Sequence, residues 1–201
     1  MYSLKSIKLY FFSILKLFFI NFRNFYFKSN YYNKKLVTFT PERFFYKPST
    51  FLCTSLTSFN NDFYKITETT PELLWKVDVK DKLKFENLHN FLWLSRLDRK
   101  NNKTLVKNII NSWINVFFNY HPNTWDPNIT ARRIIAWSSN TDITLEDSDK
   151  KYKKKFFVSL IKQSNFLSKN LNIPLDGPSK IICCAAIILL AVISAFQVFG
   201  L

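Results

Sequence analysis

Glycine is nearly absent from this chain, which has only 2 glycines, Gly177 and Gly200, among 201 residues. Neither a G-x-G-x-x-G dinucleotide loop nor a G-x-x-x-x-G-K phosphate loop can be written with two glycines placed so far apart. Nucleotide-binding folds that depend on those loops are therefore excluded. The 22 phenylalanines against so few glycines also argue against a loop-rich β architecture with glycine turns.

Cysteine and histidine are also scarce, with 3 and 2 residues. Three cysteines rule out a small secreted scaffold stapled by disulfides. The adjacent Cys183 and Cys184 lack metal-ligand spacing, and neither His89 nor His121 has a His or Cys partner at such spacing. No metal and no cofactor are expected. Because G-x-S-x-G, H-E-x-x-H and a carboxylate pair in a helical frame are also missing, the sequence names no catalytic residue.

Acidic residues are missing from residues 1–41, whereas seven lysines or arginines occur there among many apolar and aromatic residues. This composition is typical of a basic amphipathic helix on a membrane surface. It also fits an N-terminal helix that packs its aromatic side on a domain, which is the interpretation we favour from sequence. A signal peptide fits poorly, because Lys16 interrupts the apolar run and no small-residue cleavage site follows.

The net charge of the whole chain is +15, from 29 Lys+Arg and 14 Asp+Glu. A surface of that sign attracts polyanions such as acidic polysaccharide, anionic lipid headgroups or nucleic acid. Nucleic acid ranks last among these partners, because no recognised nucleic-acid-binding module is present. The oligomeric state is left open.

Periodicity divides the chain into three segments. Residues 1–35 are the basic aromatic segment, and residues 36–80 form a lead-in whose β-branched and aromatic runs at 36–66 predict short extended pieces. Residues 81–201 show helical periodicity, which predicts a mainly α fold. Four helices are expected before residue 172: one ending near Arg99, one ending before Pro122, one capped by Thr130 and one capped by the Asp147–Asp149 segment.

Residues 181–201 carry no charged side chain over 21 positions. That length and composition satisfy the rule for a membrane span. The alternative is a helix buried on all sides in a larger α-helical body. Membrane contact is therefore open at two places, residues 1–28 and residues 181–201.

The most distinctive stretch is residues 121–137, in which two prolines fix a loop that precedes a helix with two arginines. We select His121, Trp125, Arg132, Arg133 and Trp137 as candidate substrate-binding residues. Tryptophan faces stack on sugar rings, and arginine forks pair with carboxylate or sulfate groups. Aromatic rings beside cations also suit single-stranded nucleic acid. The structural alternative, in which the tryptophan and arginines fix the loop and cap carbonyls, is weighted equally.

Several of these elements together resemble a known family. They are residues 88–94 (Leu-His-Asn-Phe-Leu-Trp-Leu), a helix containing Trp113 and Ile114, the Trp125-Asp126-Pro127 loop, and residues 130–137. In this order they resemble the N-terminal region of heparinase II/III-like proteins, in the form found in α-proteobacteria. The resemblance spans roughly residues 36–190, and at the level of motifs it covers a His-Pro-x-x-Trp-x-Pro loop before an Arg-Arg helix.

The resemblance implies an incomplete (α/α) toroid of helical hairpins, the N-terminal part of a bacterial lyase that cleaves uronate-containing polysaccharide by β-elimination. The proton-transfer residues of that family would lie beyond residue 201, so this chain by itself is expected to be inactive. One alternative is a non-catalytic membrane-associated protein with a C-terminal apolar anchor. A polyanion or nucleic-acid binder is the third. The sequence leaves a cytoplasmic or membrane-associated location open.

Overall fold

A computed structural model describes residues 4–38, 40–41, 43–44, 71–76, 78–171 and 176–195. All regular elements within these ranges are helical, so the chain is mainly α, as the sequence predicted. The extended pieces predicted at 36–66 lie mostly outside the described residues. The few described positions there, 36–38, 40–41 and 43–44, form no strand.

The described helices follow one another in chain order. They are α1 (Leu4–Lys28), α2 (Asn30–Lys35), α3 (Pro71–Leu74), α4 (Lys82–His89), a 3₁₀ helix (Leu92–Arg96), α5 (Lys103–Phe117), α6 (Pro127–Ser139), α7 (Thr141–Thr144), α8 (Lys150–Asn170) and α9 (Gly177–Ala195). We call α4 to α9, with the 3₁₀ helix, the helical body.

Helix α6 lies at the centre of the helical body, where it contacts α4, the 3₁₀ helix, α7, α8 and α9. From Ile129 to Ser139 every residue except Arg132 is buried. A helix enclosed on all sides must bury its polar side chains, and each of these needs a hydrogen-bond partner to offset the loss of water. The polar residues of α6 therefore decide how its neighbours are placed.

Two helix starts test the predicted caps. Asp149 caps α8 as predicted, because its side chain accepts a hydrogen bond of 2.8 Å from the backbone N–H of Tyr152. Thr130 is wrong as the cap of α6, which begins at Pro127. Asp126 accepts hydrogen bonds from two backbone N–H groups there, and a proline at the first helical position loses no bond.

The prediction of a single helix that runs to Arg99 is also wrong, because the α-helix ends at His89. The side chain of Asn90 accepts a hydrogen bond of 2.9 Å from the backbone N–H of Leu92, and Phe91 between them has φ of +59°. An asparagine that bonds the backbone two residues ahead favours a turn over a helix. Phe91 is fully buried, and its packing offsets the cost of a left-handed backbone.

Helix α1 is exposed along most of its length. We call residues 7–25 the arm, and large apolar side chains face solvent along it. Contact with the rest of the chain is concentrated at the C-terminal end of α1, where the Phe27 ring stacks on Tyr32 at 4.6 Å between centroids. The prediction that the N-terminal helix packs its aromatic side on a domain is therefore wrong for the arm.

Helix α9 has two different faces. Its inward face packs on α6 and α8 and buries Cys183, Ala186, Leu190 and Ile193. Its outward face exposes Ile181, Ile188 and Val192. The helix is thus half covered, which differs from the core helix buried on all sides that the sequence left open.

Candidate functional site

The loop that carries the predicted site is fixed by its own backbone. The N–H of Trp125 donates to the carbonyl oxygen of His121 at 2.9 Å, which closes a turn over the three residues between them. Asp126 then starts α6 by accepting hydrogen bonds from the N–H groups of Asn128 and Ile129. The two prolines predicted to order this loop, together with Asp126, therefore set the direction in which α6 leaves it.

Trp125 is buried and belongs to the frame of the helical body. Its indole Nε1–H donates to the carbonyl oxygen of Phe117 at 3.0 Å and so satisfies one of the open carbonyls at the end of α5. The indole also meets Phe166 of α8 edge to face, at 5.4 Å between centroids. This side chain joins α5, α6 and α8, which favours the structural alternative for Trp125.

Arg133 is fully buried and bonds four acceptors on different parts of the fold. Its Nε donates to Gln163 Oε1 at 2.7 Å, and Nη1 donates to the carbonyl oxygens of His89 and Thr124 at 3.0 Å each. Nη2 donates to Thr130 Oγ1 at 3.2 Å. All four acceptors are neutral, so this guanidinium is held by dipoles of α4, α8 and the loop before α6.

The charge of Arg133 is stabilised by an aromatic face. Its guanidinium carbon lies 4.0 Å from the centre of the Trp113 ring, a distance at which cation–π attraction is strong in a desolvated site. Burial lowers the pKa of Arg133 well below its ordinary value, and the Asp126 carboxylate opposes that change. With its donors directed to the protein interior, Arg133 acts as a cross-link between helices.

Trp137 lies one turn further along α6 in an aromatic cluster. Its ring contacts Trp113 and Phe91 edge to face and stacks on Phe156, with centroids 5.3 to 5.5 Å apart. The ring is fully buried, and its Nε1 has no hydrogen-bond partner among the described residues. Packing between α5, α6 and α8 accounts for this residue.

His89 completes the centre of the body. Its Nδ1 accepts a hydrogen bond of 3.1 Å from Trp113 Nε1, so the neutral ring carries its proton on Nε2. Burial, with the charges of Arg133 and His121 as smaller causes, lowers the pKa of His89 to about 3. Nε2 is buried and finds no partner within the described ranges. The ring is therefore neutral at physiological pH.

Arg132 and His121 are the two predicted residues that reach solvent. Arg132 Nε donates to Asn128 Oδ1 at 2.9 Å, one turn back on α6. His121 is half-buried, and burial, together with the positive charge of Lys28, lowers its pKa. The structure thus brings Trp125, Arg133 and Trp137 into the interior and leaves Arg132 and His121 at the surface. Binding of a substrate by these five residues stays a prediction.

The surfaces that stand out lie elsewhere, on the arm and on the outward face of α9. In the part of the chain that the structure describes, no group of three His, Cys, Asp or Glu side chains could hold a metal ion. One described helix is long and apolar enough to cross a membrane, with its candidate span at residues 177–194. The signal for both surfaces was present in the sequence as apolar stretches, but only the packing distinguishes them from core.

Comparisons of the chain with protein-family models, with curated proteins and with solved structures found no match, so the resemblance to heparinase II/III-like proteins stays a prediction.

Proposed function

We propose that this is a non-catalytic membrane-associated protein whose helical body is anchored by α9 in a lipid bilayer. The observation that carries the proposal is the combination of composition and burial in residues 177–194. The stretch is apolar enough to cross a membrane, yet only 22% of it is buried within the fold. The core helix of a water-soluble protein with this composition would be mostly covered.

The two faces of α9 have different roles in the proposed anchor. The inward face holds the body through Cys183, Ala186, Leu190 and Ile193, which recur at helical spacing. The outward face leaves Ile181, Ile188 and Val192 for the acyl layer. Moving one such side chain fully from water into hydrocarbon contributes about 1.5–3 kcal/mol. The helix can therefore enter a bilayer without leaving α6.

The buried positions of three predicted substrate-binding residues support the proposed absence of catalysis. Trp125, Arg133 and Trp137 are used in packing and hydrogen bonding between helices. Side chains in such positions cannot stack on a sugar ring or pair with a carboxylate unless the body opens.

A carbonate extraction tests the anchor directly. The full chain, expressed in cells, is expected to stay with the membrane pellet at alkaline pH. Ile188→Asp puts a charge on the outward face and should release the chain into the supernatant, because a carboxylate in the acyl layer is costly. The matched control is Val116→Asp on α5, since Val116 and Ile188 are 59% and 61% exposed. It should leave the chain in the pellet.

Two results would overturn the anchor. One is a wild-type chain that remains in the supernatant without detergent. The other is an Ile188→Asp chain that stays in the pellet to the same extent as the Val116→Asp chain.

A second candidate is the lyase-like toroid fragment that binds acidic polysaccharide. The exposed outward face of α9 supports it, because the next helix of a toroid would pack there. Arg132 is the arginine of the pair that reaches the surface, so Arg132→Gln should weaken retention on an immobilised uronate polysaccharide. Lys154→Gln, which removes the same charge from α8, is the control. Equal retention of both variants would favour the membrane function.

A further inference from the structure

We propose that the arm of α1 is a second membrane contact, one that recognises the headgroups of anionic phospholipids. The inference rests on the proposed function, because both place the protein at a bilayer. It concerns a different helix and a different part of the lipid, so the two can fail separately.

The arm presents a continuous apolar stripe. Its members are spaced three or four residues apart, which places them on one face of a helix. Each is between 47% and 75% exposed; they are Ile7, Phe11, Ile14, Phe18, Phe22 and Phe25. A stripe of this size exceeds what the surface of a soluble monomer ordinarily shows, and it calls for an apolar partner.

The partner must also accept positive charge. Lys8 and Lys16 are exposed on the arm, and Arg23 and Lys28 follow on the same helix. No carboxylate balances them within α1, since the first acidic residue of the chain is Glu42. Long lysine side chains beside an apolar stripe can reach headgroup phosphates while the rings sit at the acyl boundary.

A second copy of the chain fits this surface less well than a bilayer does. Two arms packed stripe to stripe would bring the flanking Lys8 and Lys28 of both copies close to the contact, and α1 supplies no acidic residue to neutralise them. Anionic lipid supplies the apolar phase and the opposite charge at once. The charge pattern therefore selects the anionic bilayer.

The arm is fitted to lie along the membrane surface. Residues 7–25 form a helix about 28 Å long at 1.5 Å per residue. Lys16 lies near its middle, where a spanning helix would place it in the centre of the hydrocarbon. With its stripe facing the acyl chains, the same helix keeps Lys16 at the level of the headgroups.

The root of the arm is fixed to the protein, so the arm is held as part of the structure. Phe27 lies half a turn from Phe18 around the helix and is buried. Tyr120 Oη donates to Asn24 Oδ1 at 3.2 Å, and Asn33 Nδ2 donates to the carbonyl oxygen of Phe27 at 3.0 Å. The stripe faces away from this root, which leaves it free for a flat surface.

Vesicle co-sedimentation of the full chain tests the recognition of charge. Binding is measured on phosphatidylcholine vesicles and on vesicles that also contain phosphatidylserine. Lys8→Gln/Lys16→Gln should weaken binding to the phosphatidylserine vesicles by roughly thirtyfold, from the usual contribution of each basic residue near an anionic surface. It should leave binding to phosphatidylcholine unchanged. Lys150→Gln/Lys154→Gln, which removes two exposed charges from α8, should change neither.

A stripe variant completes the test. Phe18→Ser/Phe22→Ser should weaken binding to both kinds of vesicle while leaving the helical circular dichroism of the chain unchanged. The proposal is overturned if the two lysine variants lose affinity equally, because net charge would then explain binding. It is also overturned if phosphatidylserine has no effect, or if the stripe variant instead turns a dimer into a monomer.

These outcomes are separable from those of the anchor. A failed anchor shows as release of the wild-type chain by carbonate, whereas a failed arm shows as the loss of any difference between the two lysine variants. A chain that passes one test and fails the other has one membrane contact instead of two.

Discussion

The arm of α1 exposes apolar side chains, whereas the centre of the helical body buries a charged one. On the arm, eleven large hydrophobic side chains face solvent, six of them in the stripe. At the centre, the guanidinium of Arg133 is fully enclosed. The centre can hold a charge because it supplies oriented acceptors and an aromatic face. No described residues cover the apolar side chains of the arm in the same way, so its surface is suited to an apolar environment outside the protein.

Both regions use the same pairing of arginine and aromatic ring, which makes the contrast sharper. Arg23 lies 6.0 Å from the centre of the Phe27 ring at the root of the arm, and Arg133 lies 4.0 Å from that of Trp113. Such a pair contributes about 0.5–1 kcal/mol when exposed and about 2 kcal/mol or more when desolvated. Burial therefore decides how much of the stability each pair carries.

The largest expected effect separates two neighbouring arginines. Arg133→Ala removes donors from the buried carbonyls of His89 and Thr124 and from Gln163, and the free energy of unfolding should fall by about 4–5 kcal/mol. Arg132→Ala, whose side chain bonds Asn128 at the surface of α6, should change it by less than about 0.5 kcal/mol. Urea unfolding of both variants measures the difference. Equal losses would mean that Arg133 is not the cross-link described above.

Substitution of Trp125 should have the next largest effect. It also distinguishes a structural role of Trp125 from a substrate-binding role. Trp125→Ala should cost about 3–4 kcal/mol, the usual loss for a buried aromatic side chain. Trp125→Phe keeps most of the packing and loses the hydrogen bond to Phe117, so it should cost about 1 kcal/mol. Thermal or urea unfolding gives these values. An unchanged stability with a separate loss of polysaccharide binding would instead support the substrate role.

Local patterns predicted much of the helical body from sequence. The helix α5, which ends before Pro122, and the Asp149 cap of α8 depend on local patterns, and both are confirmed. The break at Phe91 was missed because it depends on the burial of one side chain in the tertiary core. The interior position of Arg133 was open for the same reason, since two of its four acceptors, Gln163 and the carbonyl of His89, come from distant helices.

The apolar stretches of α1 and α9 show a different limit. A helical pattern reports which residues share a face, but it does not say what covers that face. The same kind of pattern gives a buried face on α5 and an exposed one on the arm. An apolar helix face of this composition can pack in a protein core or contact a bilayer, and only the arrangement of the other helices decides between the two.

His89 makes the centre of the body sensitive to acid, and this effect is smaller. Its pKa of about 3 in the folded chain lies below the ordinary 6.5, so the unfolded chain takes up a proton first as pH falls. The free energy of unfolding is therefore highest above pH 6.5. Below that pH it decreases, by about 2 kcal/mol at pH 5. The arm has no histidine and should not contribute to this loss.

Urea midpoints at pH 7 and pH 5 measure this dependence, above the range in which most carboxylates titrate. His89→Gln should remove most of the slope. His121→Asn should remove less, because the pKa of His121 is lowered in the same direction but the side chain is only half-buried. A wild-type slope that His89→Gln leaves intact would contradict the assignment.

The smallest expected effect is that of Phe18→Ala, for which Phe27→Ala on the same helix is the contrast. Phe18 is 63% exposed on the arm, and Phe27 is 6% exposed at its root. Without vesicles, Phe18→Ala should change the free energy of unfolding by less than about 0.5 kcal/mol, since a side chain already in water loses no packing when it is truncated. Phe27→Ala, which removes contacts with Tyr32, Tyr120 and Phe166, should cost about 3 kcal/mol. Equal losses would mean that the arm packs on the rest of the chain, and its stripe would then no longer be available to a bilayer.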